Sequence, residues 1–217
     1  MITMTKVLLI GATGMAGQEI YQAATGAGLD VVAQVRHADK AKQRLGEDVK
    51  VIEQDALTLS KDELASFDVV VNAFSTSPAD ADNHKQLAAH LVHRLTGNQR
   101  LLIVLGAGSL LDGADNHLVI EDIKKTPGAA AWIAIPEGQK VELDYLRTVT
   151  DVDWVGISPS LTFKPGAASA KILVGKDHLL KNAAGESYTT AGTMAKVIVD
   201  EILHPSHHRE RFTVANA

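Results

Sequence analysis

The 217-residue chain contains no cysteine. That excludes a disulfide framework, a thiolate nucleophile and any metal site built on sulfur. It has no excess of basic residues either: 21 Lys and Arg stand against 26 Asp and Glu, for a formal charge of −5. Acids and bases are interspersed, so the basic stripe that nucleic acid requires is missing. There is no long apolar run. Val7 to Ile10 is far shorter than a signal-peptide core or a membrane span, and glycine follows it at once. A soluble, cytoplasmic protein is expected, with no membrane or nucleic-acid partner. Repeats, low-complexity tracts and obvious linkers are also lacking, and the length suits one domain over residues 1–217 with a substantial core.

What the chain does have is a strand that runs directly into a glycine turn. Val7-Leu8-Leu9-Ile10 leads into Gly11-x-x-Gly14-x-x-Gly17, and a helical pattern starts at Met15 without a spacer. A dinucleotide pyrophosphate needs this order, because unpaired N–H groups at the helix start face the phosphates and the helix dipole favours negative charge there. Gly11 serves the tight turn, Gly14 the close approach of backbone to phosphate, and Gly17 the packing of helix on strand. Thr13 offers a hydroxyl and Met15 the first helical amide, so Gly11, Thr13, Gly14, Met15 and Gly17 form the expected phosphate-side set.

Strand and helix patterns then alternate for about 160 residues. Strands are expected at Val31–Val35, Val49–Ile52, Asp68–Ala73, Arg100–Leu105 and Trp154–Ile157. Helices are expected at Met15–Ala24, Pro78–Leu95, around Val141–Leu146 and at Thr190–Leu203. The fold class is therefore α/β, a doubly wound parallel sheet of the Rossmann type. From Ser158 to about Thr190 the alternation becomes irregular, and this small region is assigned to the substrate side.

The tip of the second strand lies beside the adenosine ribose in such a fold, and an acid there favours NAD. This strand instead ends Val35-Arg36-His37. Asp30 sits at the opposite end of the strand, about 15 Å away at roughly 3.3 Å per residue. Arg36, with a planar guanidinium suited to bidentate phosphate contact, favours a 2′-phosphate, and Lys40, Lys42 and Arg44 add positive potential. NADP(H) is expected over NAD(H).

Taken in order, the glycine turn, Arg36, Asp55-Ala56, Asn72-Ala73, Gly106-Ala107-Gly108-Ser109 and Ser158-Pro159-Ser160 resemble the atypical short-chain dehydrogenase/reductases. The resemblance is to their NmrA-like and flavin/biliverdin-reductase-like group, which includes NADH-flavin reductases. It extends through Phe163-Lys164-Pro165-Gly166 to Phe212-Thr213-Val214. It implies that the Asp55 carboxylate accepts from the adenine amino group, that Ala56 lies under the adenine, and that Asn72, Ala73 and Phe74 line the ribose and nicotinamide side. Ser109 matches a serine that related reductases place near the nicotinamide, and is the candidate catalytic residue.

One departure from alcohol-oxidising members is plain. They carry Tyr-x-x-x-Lys after the fifth strand, where lysine lowers the tyrosine pKa for proton transfer. Here Tyr145 is followed four residues later by Val149, and Lys140 is preceded four residues earlier by Pro136. Hydride transfer to a small conjugated acceptor, a flavin or quinone, needs less from the protein and is the expected activity. The alternative is an NADP(H)-sensing regulatory protein without turnover, and a homodimer is an open expectation. No metal site is expected: His204, His207, His208 and Glu210 are read as a surface loop, and Asp80, Asp82 and His84 as residues of a helix amino terminus. Tyr145, Trp132 and Trp154 are read as core.

Overall fold

A computed structural model describes residues 4–217. In chain order the elements are β1 (Lys6–Ile10), α1 (Met15–Gly26), β2 (Asp30–Val35), α2 (Ala38–Leu45), β3 (Lys50–Glu53), α3 (Lys61–Leu64), β4 (Val69–Asn72), α4 (Asn83–Val92) and β5 (Arg100–Val104). There follow β6 (Leu111–Asp112), β7 (His117–Leu118), α5 (Val119–Lys125), α6 (Ala134–Leu146), β8 (Asp153–Pro159), β9 (Thr162–Lys164), β10 (Ile172–Gly175), β11 (Tyr188–Thr190), α7 (Ala191–Leu203) and β12 (Glu210–Asn216).

Eight strands form the central sheet in the order β10-β12-β8-β5-β4-β1-β2-β3. Every pairing is parallel except that of β10 with β12. Parallel strands covered on both faces must be apolar on both, and β1, β4 and β5 are almost continuous runs of Val, Leu and Ile. One face carries α1 and α7, with Ile20, Met194 and Ile198 packed on Val7, Leu9 and Val71. The other carries α4 and α6, with Leu87, Leu91, Leu143 and Leu146 packed on Leu8, Val70 and Ile103.

The chain builds outward from β1 to β3, then returns across β1 to place β4 on its other side. That reversal opens a crevice between the carboxyl ends of β1 and β4, the place where such sheets bind ligands. The glycine turn and residues 72–74 are its two lips.

The structure extends and corrects several expectations. All six expected strands form, with ends moved by one or two residues, but the sheet has two more. β12 inserts beside β8 and β10 closes the edge; the sequence Glu210-Arg-Phe-Thr-Val-Ala-Asn216 is a buried strand starting at Glu210, so Glu210 is not in a loop. Helix α4 starts at Asn83 after a separate 3-10 turn, Pro78–Asp80, because Pro78 begins that turn and Asp82 supplies no side-chain bond to the helix. Trp154 is buried, whereas Trp132 is 41% exposed. Trp132 follows the short turn Ala129–Ala131 and precedes α6, outside any face that packs on the sheet.

Candidate functional site

The glycine turn is built by collisions that any larger residue would cause. Gly11 has φ 76°, and a Cβ there would fall on the Ala73 carbonyl oxygen, so β1 and β4 close to this distance only with glycine. A Cβ on Gly17 would strike the Gly11 carbonyl oxygen and lie 2.7 Å from the Ala12 Cα. The Gly14 N–H donates to the Gly11 carbonyl at 2.9 Å, and Gln18 Nε2 donates to the carbonyls of Thr13 (3.3 Å) and Gly14 (3.2 Å). Helix α1 therefore starts in a fixed place. No side chain caps it and no acid stands in its first turn, so its positive end is left open to an anion.

Above this turn lies a cleft of about 650 Å³. Of the residues expected to hold a cofactor, Gly11, Thr13, Gly14, Arg36, Asp55, Ala56, Ala73 and Phe74 line it, joined by Gln34, Lys40, Arg44, Ser75, Thr76, Ser77, Asp80 and Asn83. Three expected residues do not. Gly17 is packed beneath the turn, and Met15 stands on the exposed side of the helix start. Asn72 is buried, with Oδ1 accepting the Phe74 N–H at 3.1 Å, so it shapes the lip.

Beyond the carboxyl end of β2, Arg36, Lys40 and Arg44 are all exposed on one rim of the cleft. Arg44 Nη1 donates to the Thr13 carbonyl at 2.5 Å and ties α2 to the glycine turn. Asp30 lies at the far end of β2, bonded to Lys50 at 2.6 Å. One acid went unseen in the sequence: β3 places Glu53 beside Val35 in register. Its Oε1 accepts the Ala38 N–H at 2.9 Å, at the start of α2, and it does not line the cleft. Pairing between strands far apart in sequence brings it there, which no local pattern reports. Asp55 is exposed, with Oδ1 accepting the Leu57 N–H at 2.9 Å, which leaves its second oxygen for a ligand.

Ser109 is buried and stands outside the residues lining the cleft. Its hydroxyl and that of Ser158 each accept from Arg211 Nη1 at 3.2 Å. Arg211, whose side chain is 1% exposed, also donates through Nε (3.0 Å) and Nη2 (2.5 Å) to Asp177. Burial lowers the Arg211 pKa, and the Asp177 carboxylate opposes that shift. The arginine thus pins the loop after β5 to β8 and to residue 177. Its sequence signal was slight, a charge next to Phe212 in a strand that also carries Glu210, Thr213 and Asn216.

Tyr145 is half-buried against the α4–α6 side of the core, and burial raises its pKa. Lys140 bonds Asp144 at 2.6 Å rather than Tyr145, and the tyrosine that a lysine does meet is Tyr188, with Lys164 Nζ 4.0 Å from its ring centroid. Among the described residues no group of three His, Cys, Asp or Glu is placed to hold a metal. His204 and His208 are exposed, but His207 is partly buried, stacked on Phe212 at 3.9 Å and bonded to Glu201 at 2.8 Å. The helix-start expectation is corrected at His84, which turns inward and is 2% exposed. Asp80 accepts the Ser77 hydroxyl at 2.7 Å and gives the helix nothing.

A family model described as NAD(P)H-binding matches residues 11–205. The uncharacterised protein YwnB of Bacillus subtilis is 34% identical over 214 residues, 97% of this chain and 98% of that protein. A crystal structure from Lactobacillus casei superposes with a TM-score of 0.90 at 35% identity, covering 98% of this chain and 100% of that one. A protein of Streptococcus pneumoniae proposed to be an NADH-flavin reductase has a TM-score of 0.87 at 28% identity, covering 98% and 100%. Among the described residues no helix is long and apolar enough to cross a membrane.

Proposed function

The chain belongs to the NAD(P)H-binding family, and from that membership we propose that it is an NADP(H)-dependent reductase that passes hydride to a small conjugated acceptor, a flavin or quinone. The cleft fits a dinucleotide: an uncapped helix start for the pyrophosphate, and a glycine cradle that any Cβ would fill. In this reading Gly11, Thr13 and Gly14 hold the pyrophosphate, Asp55 and Ala56 the adenine, Arg36 with Lys40 and Arg44 the 2′-phosphate, and Ala73 and Phe74 the nicotinamide side. The cofactor supplies the hydride; the protein orders the two partners and keeps water out. Ser109, with the segment from Ser158 to about Thr190, frames the acceptor side.

The observation that carries the phosphate preference is the rim of three cations, with Glu53, the carboxylate paired in register with Val35, engaged by the Ala38 amide. A charge-assisted hydrogen bond contributes about 1.5–3 kcal/mol. At about 1.4 kcal/mol per tenfold, Arg36→Ala should weaken NADPH roughly tenfold to a hundredfold in calorimetric titration and leave NADH little changed. Equal loss for both would remove the 2′-phosphate assignment.

A second reading, a sensor of the NADP+/NADPH ratio without turnover, is favoured by one fact: Tyr145 is spent on packing and no lysine joins it. NADPH oxidation against a panel of flavins, quinones and aldehydes separates the two. Tight binding without oxidation on any acceptor selects the sensor.

A further inference from the structure

Two ionisable side chains lie buried directly behind the wall of the cleft. His84 of α4 is 2% exposed and Glu142 of α6 is 1% exposed. His84 Nδ1 and Glu142 Oε2 are 3.8 Å apart, one small rotation short of a hydrogen bond. His84 Nε2 and both Glu142 oxygens are buried without any partner. Leaving such atoms unpaired costs stability, and leucine would fill the same seam without that cost. The seam is tight: a Cβ on Gly138, one helical turn before Glu142, would lie 2.5 Å from the Ala81 carbonyl oxygen.

The pair is one ring away from the cleft. The ring of Phe74, which lines the cleft, meets the His84 ring edge-on at 5.5 Å between centroids, and Asn83, the residue before His84, also lines it. Among the described residues the acid lining that side of the cleft is Asp80, which is exposed and already accepts the Ser77 hydroxyl. Reduction of a conjugated acceptor needs a proton as well as a hydride. Resting on the reductase reading above, we propose that His84 and Glu142 form a buried proton store, Glu142 feeding a proton through His84, past Phe74, to the reduced acceptor.

The balance is simple. Hydride from the reduced cofactor brings two electrons and forms one new bond to hydrogen on the acceptor; the cofactor leaves oxidised. The Nε2 proton of His84 forms the second, as Nδ1 takes the carboxyl proton of Glu142. Glu142 is left as a carboxylate and His84 with its proton on Nδ1; a proton taken up from solvent at Nε2, as Nδ1 returns its own to Glu142, resets both. Burial supports the starting state, since it raises the Glu142 pKa well above the ordinary carboxylate value and lowers that of His84 to about 4. Charged neighbours do not set it. On α6, Lys140 bonds Asp144 and Glu137 bonds Lys124 at 3.4 Å; on α4, Lys85 is exposed and His90 bonds the Leu59 carbonyl at 2.8 Å; Asp80 and Asp82 are exposed on the preceding turn.

The test compares the wild type with Glu142→Gln and His84→Gln, both close in shape to the residues replaced. Infrared spectra at neutral pH should show a buried protonated carboxyl that Glu142→Gln removes, with or without turnover. In stopped-flow NADPH oxidation both variants should slow the step about a hundredfold or more, within the range for general acid catalysis, and alter its pH profile, while NADPH affinity is unchanged. A Glu142 that is ionised at neutral pH overturns the proposal. So do variants that keep the wild-type rate and pH profile. Absence of any wild-type oxidation overturns the reductase reading instead, and with it the proton's destination.

Discussion

Single residues at the site are set by distances of a few tenths of an ångström, and the glycines show it most directly. Gly17 and Gly26 both lie in α1, yet a Cβ on Gly17 would overlap the Gly11 carbonyl while one on Gly26 would meet nothing within 4 Å. Gly17→Ala should therefore lower stability by about 1–3 kcal/mol through overpacking and, by shifting the turn, weaken cofactor binding. Gly26→Ala should be neutral or stabilising by roughly 0.4–1 kcal/mol, because it restricts the unfolded chain. Thermal unfolding and titration of the two variants side by side check this, and a Gly17→Ala protein with wild-type stability and affinity would show that the turn has slack. Both residues are glycines on one helix in the sequence. Only their surroundings separate them.

Among elements, the junction of β5, β8 and α7 is held by charge rather than by apolar packing alone. Arg100 donates to Asp153 (2.8 Å), to Glu201 (2.8 Å), and to the carbonyls of Glu201 and His207 (both 2.8 Å). Burial alone would raise the pKa of Glu201. Hydrogen bonds from His207, Arg100 and the Ser206 amide outweigh burial and bring it to about 2. A carboxylate depressed in this way stabilises the fold fully above the ordinary value of 4.5 and loses that contribution as pH falls through about 2. The unfolding midpoint should accordingly decline between these limits. Glu201→Gln should flatten that part of the decline while lowering stability at neutral pH, measured by thermal melts across the acid range. A variant that follows the wild-type acid profile would move the acid sensitivity elsewhere. None of this network was legible beforehand, because Arg100 and Glu201 are about a hundred positions apart. β5 and β8 were legible as apolar runs, and so was α7, whose start is capped by the Thr190 hydroxyl accepting from the Thr193 amide.

For the whole molecule, a ligand that binds only the folded state raises its stability by about 2.7 kcal/mol at a hundred times Kd. For a domain of this size, at roughly 2–4 °C per kcal/mol, NADPH should raise the unfolding midpoint by roughly 5–10 °C, with NADH at the same concentration giving a smaller shift. Equal shifts would set the cation rim aside as a source of preference. The scale of the molecule is also where sequence and structure divide. Periodicity, the glycine turn and the end of the second strand determined the α/β class, six strands and four of the residues that line the cleft, Gly11, Thr13, Gly14 and Arg36, because these features are local: an apolar run, a tight turn and a helix start each follow from neighbours in the chain; Asp55, Ala56, Ala73 and Phe74 came from the family resemblance. Tertiary structure alone decided that Glu53 stands beside Val35, that Arg211 anchors Ser109 and Ser158, that β12 belongs to the sheet, and that His84 faces Glu142 across the α4–α6 seam. Each of these depends on which strands and helices become neighbours, and that is settled by packing across the sheet, to which no short stretch of sequence has access.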